Sequence, residues 1–200
     1  DCDALVERAV EHFGEIDIMV NNAGKWLRQP IVPYPDVTLV PPVVDRESTS
    51  RITDEEWHTM IETNISGVFY CCRAIAPHMM SRKYGKIINI SSNSSIQASP
   101  RGVVYNVTKA SVNIMTKALA LDWAPYNVYV NAIAPGYYET PMTEIETAIP
   151  EMYQAGKDSI PLGKWGDLRD LGILAVYLAS SASDYMTGQI IFMDGGLTAK

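Results

Sequence analysis

The feature that most constrains the fold is an alternation of short apolar runs with longer stretches of helical periodicity. Each run is rich in branched apolar residues and ends at a turn-forming residue, as buried parallel strands do. The four predicted strands lie at residues 16–20, 86–90, 128–134 and 189–193. The helical stretches before and between them predict a mostly parallel sheet with helices on both faces.

The predicted helices have recognisable boundaries. Thr53 precedes Glu56 by three residues, which is the spacing of a capping box, and a core-facing apolar stripe follows as far as Cys72. Asp167 is placed to cap a helix that carries several leucines. Further helices are predicted at residues 4–13 and 103–123.

Residues 25–51 differ from the rest of the chain. Five prolines in this stretch exclude a long helix or a central strand. We interpret it as an insertion in a single domain that spans residues 1–200. It either covers a pocket with Trp26 and Tyr34 or is an inert surface excursion.

Composition narrows the class of protein. An apolar fraction of 47% and a charged fraction of 20% are ordinary for one globular domain of 200 residues. A net charge of −7 disfavours nucleic acid and anionic membranes as partners, because both attract basic surfaces. No membrane-length apolar run, secretory leader or metal-binding motif is recognised, and the three cysteines suggest no disulfide set. We therefore expect a reduced, cytoplasmic protein without a metal site.

Polar or glycine-rich signatures follow three of the predicted strands. They are Asn21 with Ala23 and Gly24, Ser91 with Ser92, and Pro135 with Gly136 and Thr140. In an open parallel sheet the ligand crevice lies beyond the carboxyl ends of the strands, where small residues let a flat cofactor approach the backbone. Each signature taken alone is better explained as an ordinary turn, which is the usual role of Asn and Gly.

Tyr105 and Lys109 are four residues apart in a predicted helix and therefore project from the same face. A cation beside the phenol favours its ionised form, which predicts a pKa of Tyr105 below the usual value of about 10. Ser92 is placed to donate to a carbonyl oxygen as charge develops on it. A serine that caps a turn or a helix would give the same pattern.

Six elements in this order resemble the short-chain dehydrogenase/reductase family. They are Asn-Asn-Ala-Gly after a strand, Asn64, Ser92, Tyr105-x-x-x-Lys109, Pro135-Gly136 with Thr140, and a closing strand between Thr187 and Gly196. The spacings also agree with the family, with 41 residues from Asn64 to Tyr105 and 13 from Ser92 to Tyr105. The resemblance covers nearly the whole chain apart from the proline-rich insertion.

The resemblance implies hydride transfer between NAD or NADP and a carbonyl/alcohol pair, on a doubly wound, Rossmann-type sheet. Tyr105 would be the general acid or base, Lys109 would hold the nicotinamide ribose, and Ser92 would polarise the substrate oxygen. Asn64 would anchor a water chain that reaches the lysine, unless it is a satisfied core residue. The implied cofactor-binding set is Asn21, Ala23 and Gly24 near the adenosine half and Ile133, Pro135, Gly136 and Thr140 near the nicotinamide, with Tyr105 and Lys109.

The chain departs from the family pattern at its start. Family members usually begin with a strand, a Thr-Gly-x-x-x-Gly-x-Gly turn and a helix that receives the pyrophosphate. Neither that turn nor the next strand, whose end separates NAD from NADP, is recognised here. We therefore expect a fragment that carries the last four of seven strands, binds cofactor poorly alone and exposes an apolar sheet edge.

The substrate is less constrained than the reaction. Segments 121–127 and 161–166 look most like those of sugar-acid and polyol dehydrogenases such as gluconate 5-dehydrogenases. A 3-oxoacyl-(acyl-carrier-protein) reductase is the second candidate, and its acidic partner would need a basic surface such as Arg82, Lys83 and Lys86. A non-catalytic interaction module is the alternative from another class. Surplus apolar residues on the helices at 53–83 and 103–123, together with the resemblance, predict a homotetramer or dimer.

Overall fold

The computed structural model describes residues 2–33 and 51–199. Its four strands form one parallel sheet in the order β1-β2-β3-β4, which confirms the predicted α/β architecture. The strands are β1 (Ile18–Asn21), β2 (Gly85–Ile90), β3 (Val128–Pro135) and β4 (Ile190–Met193). Each strand begins or ends within two residues of its predicted bounds.

Helices alternate with the strands. They are α1 (Cys2–Phe13), α2 (Asp54–Ile61), α3 (Gly67–Arg82), α4 (Val103–Trp123), α5 (Glu144–Ala148), α6 (Pro150–Ser159) and α7 (Leu168–Ala179). The sequence analysis assigned no element to the α5–α6 segment, because its helices are short and carry no extended apolar stripe. Pro150 in the first turn of α6 is the local signal that was available.

The predicted helix that begins after Thr53 is longer than its apolar stripe indicated. The capping box is present, with the Thr53 hydroxyl accepting from the Glu56 amide at 3.1 Å and the Glu56 carboxylate accepting from the Thr53 amide at 2.8 Å. A π-helical turn at Glu62–Ser66 joins α2 to α3. Asn64 lies in that turn, and such turns often mark functional sites.

The sheet is covered on both faces, as a doubly wound fold requires. Adjacent residues of β2 point in opposite directions. Ile87 packs in a core with residues of α1, α3 and α4, whereas Ile88 packs with Leu178 of α7. The two faces therefore have separate cores, and the strand ends between them are free to form a site.

Strand β1 is an edge strand of the described sheet. The side chains of Ile18 and Val20 are 45% and 46% exposed. The apolar sheet edge expected from the sequence is therefore present. Within residues 2–33 and 51–199, no helix combines the length and the hydropathy that crossing a membrane requires.

Candidate active site

The carboxyl ends of β1, β2 and β3 lie at one edge of the parallel sheet, and α4 crosses behind that edge. Lys109 of α4 donates from Nζ to the carbonyl oxygen of Ile90, the last residue of β2, at 2.8 Å. Ser91 and Ser92 follow directly. Parallel register and one helix thus bring together side chains that are 13 or more residues apart in sequence.

Ser92, Tyr105 and Lys109 converge as predicted. All three are buried, with 7%, 8% and 4% of their surface exposed. Lys109 Nζ lies 5.7 Å from the centroid of the Tyr105 ring. The Ser92 hydroxyl faces the phenol of Tyr105, close enough to affect its pKa. A hydroxyl, a phenol and an ammonium group therefore share one small volume.

The acid–base properties of this group differ from the expectation. Burial raises the pKa of the Tyr105 phenol, and the hydrogen bond with Ser92 lowers it by less. The Lys109 ammonium donates to the Ile90 carbonyl oxygen, and the lowering of the Tyr105 pKa that was expected from it does not offset the effect of burial. Burial also lowers the pKa of Lys109 to about 8. Desolvation of both groups outweighs their mutual influence.

Asn64 is almost fully buried and makes three hydrogen bonds. Its Oδ1 accepts from the Lys25 amide at 2.7 Å, and its Nδ2 donates to the Lys25 carbonyl at 2.8 Å. Nδ2 also contacts the hydroxyl of Thr108 at 3.1 Å. Asn64 thus ties the loop after β1 to the residue that precedes Lys109, which fixes the separation of the two walls of the crevice.

Two residues of the predicted cofactor set have side chains that point into the protein. The Asn21 amide donates to Asn89 Oδ1 at 2.8 Å and to the sulfur of Cys72 at 3.3 Å. Ile133 packs in the core with Ile88 and Leu178. Their side chains hold the sheet together, so a contact with a cofactor would have to use their backbone atoms.

Two glycines lie at the strand ends, where other groups of the protein approach the backbone closely. A Cβ atom on Gly24 would come within 3.5 Å of Lys109 Nζ and 3.7 Å of Asn64 Oδ1. A Cβ atom on Gly136 would lie 2.7 Å from the Asp194 Cα atom, so the chain must be glycine there for β3 and β4 to end side by side. Ala23, Pro135 and Thr140 flank these glycines. The small residues and the buried lysine between them fit a nicotinamide nucleotide.

A cavity of about 730 Å³ begins at Gly24, which is the one predicted site residue in its lining. One wall contains basic side chains, and the other belongs to the segment that carries α5 and α6. The basic residues are Lys25, Arg28 and Arg101, and the opposite wall includes Met142, Glu144, Glu146 and Met152. Sequence reasoning missed these residues, although Arg28 follows the Asn-Asn-Ala-Gly signature by four positions.

The described part of the insertion packs against Tyr105. Trp26 and Leu27 pack against a core formed by Met60, Val104 and Tyr105. Of the two interpretations of the insertion, this contact favours the covering role for its first residues. Tyr34 and three of the five prolines, Pro35, Pro41 and Pro42, lie outside the described residues.

The basic surface expected for an acidic protein partner is not formed. Lys86 is 1% exposed and pairs with Asp184 at 2.7 Å. Arg82 pairs with Glu15 at 2.9 Å and Asp17 at 2.6 Å. Arg82 and Lys86 also lie at the amino end of β2, opposite the candidate site. Lys86 and Arg82 are therefore engaged within the protein, whereas Lys83 is exposed. Charge counting along the sequence does not show which charges are already paired.

Comparison with known proteins identifies the class. Residues 1–198 match the family described as enoyl-(acyl carrier protein) reductase. The chain is 39% identical over 198 residues to a 2-dehydro-3-deoxy-D-gluconate 5-dehydrogenase of Dickeya dadantii, which covers 98% of the chain and 71% of that relative. It is 38% identical over 194 residues to a 3-oxoacyl-(acyl-carrier-protein) reductase of Thermotoga maritima, covering 96% and 70%.

Solved structures agree with these relatives. A gluconate 5-dehydrogenase from Burkholderia cenocepacia, crystallised with NADP and tartrate, superposes with a TM-score of 0.87 at 35% identity. The match covers 100% of this chain and 71% of that one. The chain therefore belongs to the short-chain dehydrogenase/reductase family. It is an NAD(P)-dependent oxidoreductase with a Rossmann-type fold.

Proposed function

We propose that the protein interconverts a secondary alcohol and a ketone of a sugar acid. The observation that carries this proposal is the basic wall of the cavity, where Lys25 and Arg28 follow directly on Gly24. Guanidinium groups bind carboxylates with two parallel hydrogen bonds, so Arg28 is suited to hold the acid end of a substrate. Relatives whose names specify gluconate or a deoxygluconate support the same class.

The proposed chemistry assigns one task to each buried polar group. Tyr105 passes a proton to the substrate oxygen in reduction and takes it back in oxidation. Ser92 donates a hydrogen bond to that oxygen as negative charge develops on it. Lys109 holds the ribose and, as a cation, stabilises the ionised phenol. A bound NAD or NADP supplies or accepts the hydride.

The cofactor would lie across the carboxyl ends of the strands. Ala23 and Gly24 would border its adenosine half, while Pro135, Gly136 and Thr140 would contact the nicotinamide side. Asn21 and Ile133 would contribute through their backbones, since their side chains are held in the core. Asn64 would hold the loop after β1 in place and anchor a water chain to Lys109.

Steady-state kinetics of the protein expressed from its native gene test this proposal. Turnover with gluconate-type acids should exceed turnover with acetoacetyl thioesters. Substitution Arg28→Leu should raise KM for the acid about tenfold, an estimate for the loss of a charge-assisted hydrogen bond. Turnover of an uncharged polyol should change little in the same variant. Preference for the thioester would instead favour the carrier-protein reductase.

The non-catalytic alternative makes a different prediction. A protein that only presents the sheet and helices as an interaction surface would not bind the nucleotide. Enhancement of nicotinamide fluorescence on titration with NADH and NADPH therefore separates the two functions. A folded protein that gives no enhancement with either nucleotide contradicts the enzyme proposal.

We also infer a single-domain, cytoplasmic protein that forms a homotetramer or dimer. The three free cysteines support a reducing location. Large apolar side chains on α3 and α4 support self-association, since Phe69 and Tyr70 are 44% and 40% exposed and Ile114 and Leu121 are 66% and 79% exposed. Sedimentation velocity tests this: a monomer at all concentrations contradicts it.

A further inference from the structure

The turn that carries Ser92 is held by a side chain that the proposed chemistry does not use. Asn113 lies on α4, one helical turn beyond Lys109. Its Oδ1 accepts a hydrogen bond from the Ser91 hydroxyl at 2.6 Å. Its Nδ2 donates to the Ser95 hydroxyl at 2.7 Å. One amide therefore grips the chain on both sides of Ser92.

The hydrogen bonds of Asn113 also act, through Ser95, on the backbone of Ser92. The Ser95 hydroxyl, oriented by Asn113, donates to the Ser92 carbonyl oxygen at 2.6 Å. On the other side, the Ser91 hydroxyl also contacts the Lys109 carbonyl oxygen at 3.3 Å. Within the turn, the Ser92 hydroxyl accepts from the Ser94 amide at 3.1 Å and donates to Asn93 Oδ1 at 3.2 Å, and it also faces the Tyr105 phenol.

The chemistry of the contacts requires an amide at position 113. Asn113 accepts through its carbonyl oxygen and donates through its NH₂ group in opposite directions. An aspartate keeps the acceptor for Ser91 but cannot donate to Ser95. An alanine loses both contacts.

The location on α4 gives these contacts their significance. Residues 105, 109 and 113 are spaced by four, so they lie along one face of the helix. The same rigid element therefore presents the phenol, the ammonium group and the amide that sets the position of Ser92. A second asparagine on this helix, Asn106, donates to the Ser94 and Gln97 carbonyls and holds the far end of the turn.

We propose that Asn113 is a positioning residue that fixes the Ser92 hydroxyl relative to the Tyr105 phenol. This inference rests on the proposed role of Ser92 in the reaction. Asn113 does not touch the substrate or the cofactor in this proposal. It determines where the hydrogen bond to the substrate oxygen is delivered.

Kinetics of Asn113→Ala test the proposal. A small displacement of a catalytic group is costly, so kcat should fall by about tenfold while KM for the cofactor stays within about twofold. Asn113→Asp should lower kcat by less than Asn113→Ala does. Ser95→Ala removes only one of the two hydrogen bonds of Asn113, so kcat should fall about threefold. Ser111→Ala is the matched control, because its hydroxyl bonds only to the Val107 carbonyl within α4. It should behave as wild type.

A double-mutant cycle separates positioning from general damage to the fold. In the Ser92→Ala background, Asn113→Ala should reduce kcat by less than about twofold, because the group that it positions is gone. Equal losses in both backgrounds, or no loss in the wild-type background, would overturn the inference. Should Asn113→Ala fail to fold, Ser95→Ala in the same two backgrounds provides the cycle.

The single variant Ser92→Ala keeps this inference distinct from the proposed function. An Ser92→Ala enzyme with wild-type kcat contradicts the role of Ser92 and with it the proposed mechanism. An impaired Ser92→Ala enzyme beside a normal Asn113→Ala enzyme contradicts the positioning role alone.

Discussion

Two buried lysines at opposite ends of the sheet show how differently the same side chain is used. Lys86, at the amino end of β2, is 1% exposed, and Lys109, beside the carboxyl end, is 4% exposed. Lys86 Nζ donates to the Asp184 carboxylate at 2.7 Å and the Ser183 hydroxyl at 3.1 Å, and it lies 4.1 Å from the centroid of the Tyr129 ring. Lys109 Nζ donates to one carbonyl oxygen.

The difference lies in the counter-charge. Within residues 2–33 and 51–199, no carboxylate pairs with Lys109. Burying an ammonium group without a counter-ion costs free energy, because the charge loses its hydration. Burial therefore lowers the pKa of Lys109 to about 8. Lys86 belongs to a structural ion pair, whereas the proposed function uses the remaining hydrogen-bonding capacity of Lys109 for a ligand. The amino end of the sheet is built for stability and the carboxyl end for chemistry.

Replacing Lys109 should have the largest effect. Lys109→Met keeps the aliphatic stem and removes the ammonium that holds the ribose and stabilises the phenolate. We expect kcat/KM to fall by about 10²- to 10⁴-fold, the range for groups that assist proton transfer. The variant should be at least as stable as wild type, since an uncompensated buried charge is removed. Substrate turnover and urea unfolding measure the two quantities. Nearly normal turnover would show that Lys109 is only structural.

Substitution of the two members of the Lys86–Asp184 ion pair should affect stability unequally. Asp184→Asn leaves the buried ammonium without its counter-charge, so we expect a loss of about 3 kcal/mol in the free energy of unfolding. Lys86→Met leaves a carboxylate that is 46% exposed and can be hydrated, so a loss of about 1 kcal/mol is expected. The kcat of the folded protein should be unchanged in both. The opposite order of stabilities would show that the ammonium is better solvated than its burial implies.

These two lysines also mark what the sequence could predict. Lys109 was found because Tyr105 and Lys109 are local in sequence, and their spacing fixes a shared helix face. The strands and their parallel order were predicted from local patterns as well, whereas Asn64 was singled out by the resemblance to the family and its proposed role stays a prediction. Lys86 was misassigned to a basic surface, because its partner Asp184 is 98 residues away. The raised pKa of Tyr105 was missed for a related reason, since burial depends on tertiary packing.

The cavity was the largest omission. It is formed between the loop after Gly24, Arg101 and the α5–α6 segment, which are distant in sequence. Aromatic packing secures that segment, with Tyr153 of α6 stacked on Trp165 at 5.1 Å between ring centroids. No periodic pattern records such contacts. The sequence therefore predicts the positions of Ser92, Tyr105 and Lys109 better than it predicts the walls of the cavity.

The lowered pKa of Lys109 predicts a dependence of stability on pH. In the unfolded chain this lysine titrates near 10.4, so between about pH 8 and 10 the unfolded state binds the extra proton. The contribution of Lys109 to the free energy of unfolding is therefore lowest below about pH 8. It rises by up to about 2 kcal/mol as the pH increases through this range.

Urea unfolding at pH 7.5 and 9.5 measures this contribution when wild type is compared with Lys109→Met. Other groups that titrate in this range affect both proteins equally. Relative to the variant, wild type should gain stability at the higher pH. A parallel pH response in the two proteins would mean that Lys109 is hydrated in the folded state.

The smallest effect is expected from Arg82, which bears on the choice between the two substrate classes. Arg82 contacts Glu15, Asp17 and the Ile16 carbonyl, and so fastens the segment before β1 to the end of α3. Both carboxylates are substantially exposed, at 70% and 49%, so Arg82→Ala should cost less than about 1 kcal/mol of stability.

Lys83→Ala, at the neighbouring exposed position, is the charge-matched control. Neither change should alter turnover of a sugar acid or of a thioester, because both positions lie at the amino end of the sheet. A tenfold loss of turnover with a carrier-protein-bound thioester in the Arg82 and Lys83 variants would show that the amino end of the sheet recognises a partner. It would contradict the proposal that this end serves only stability.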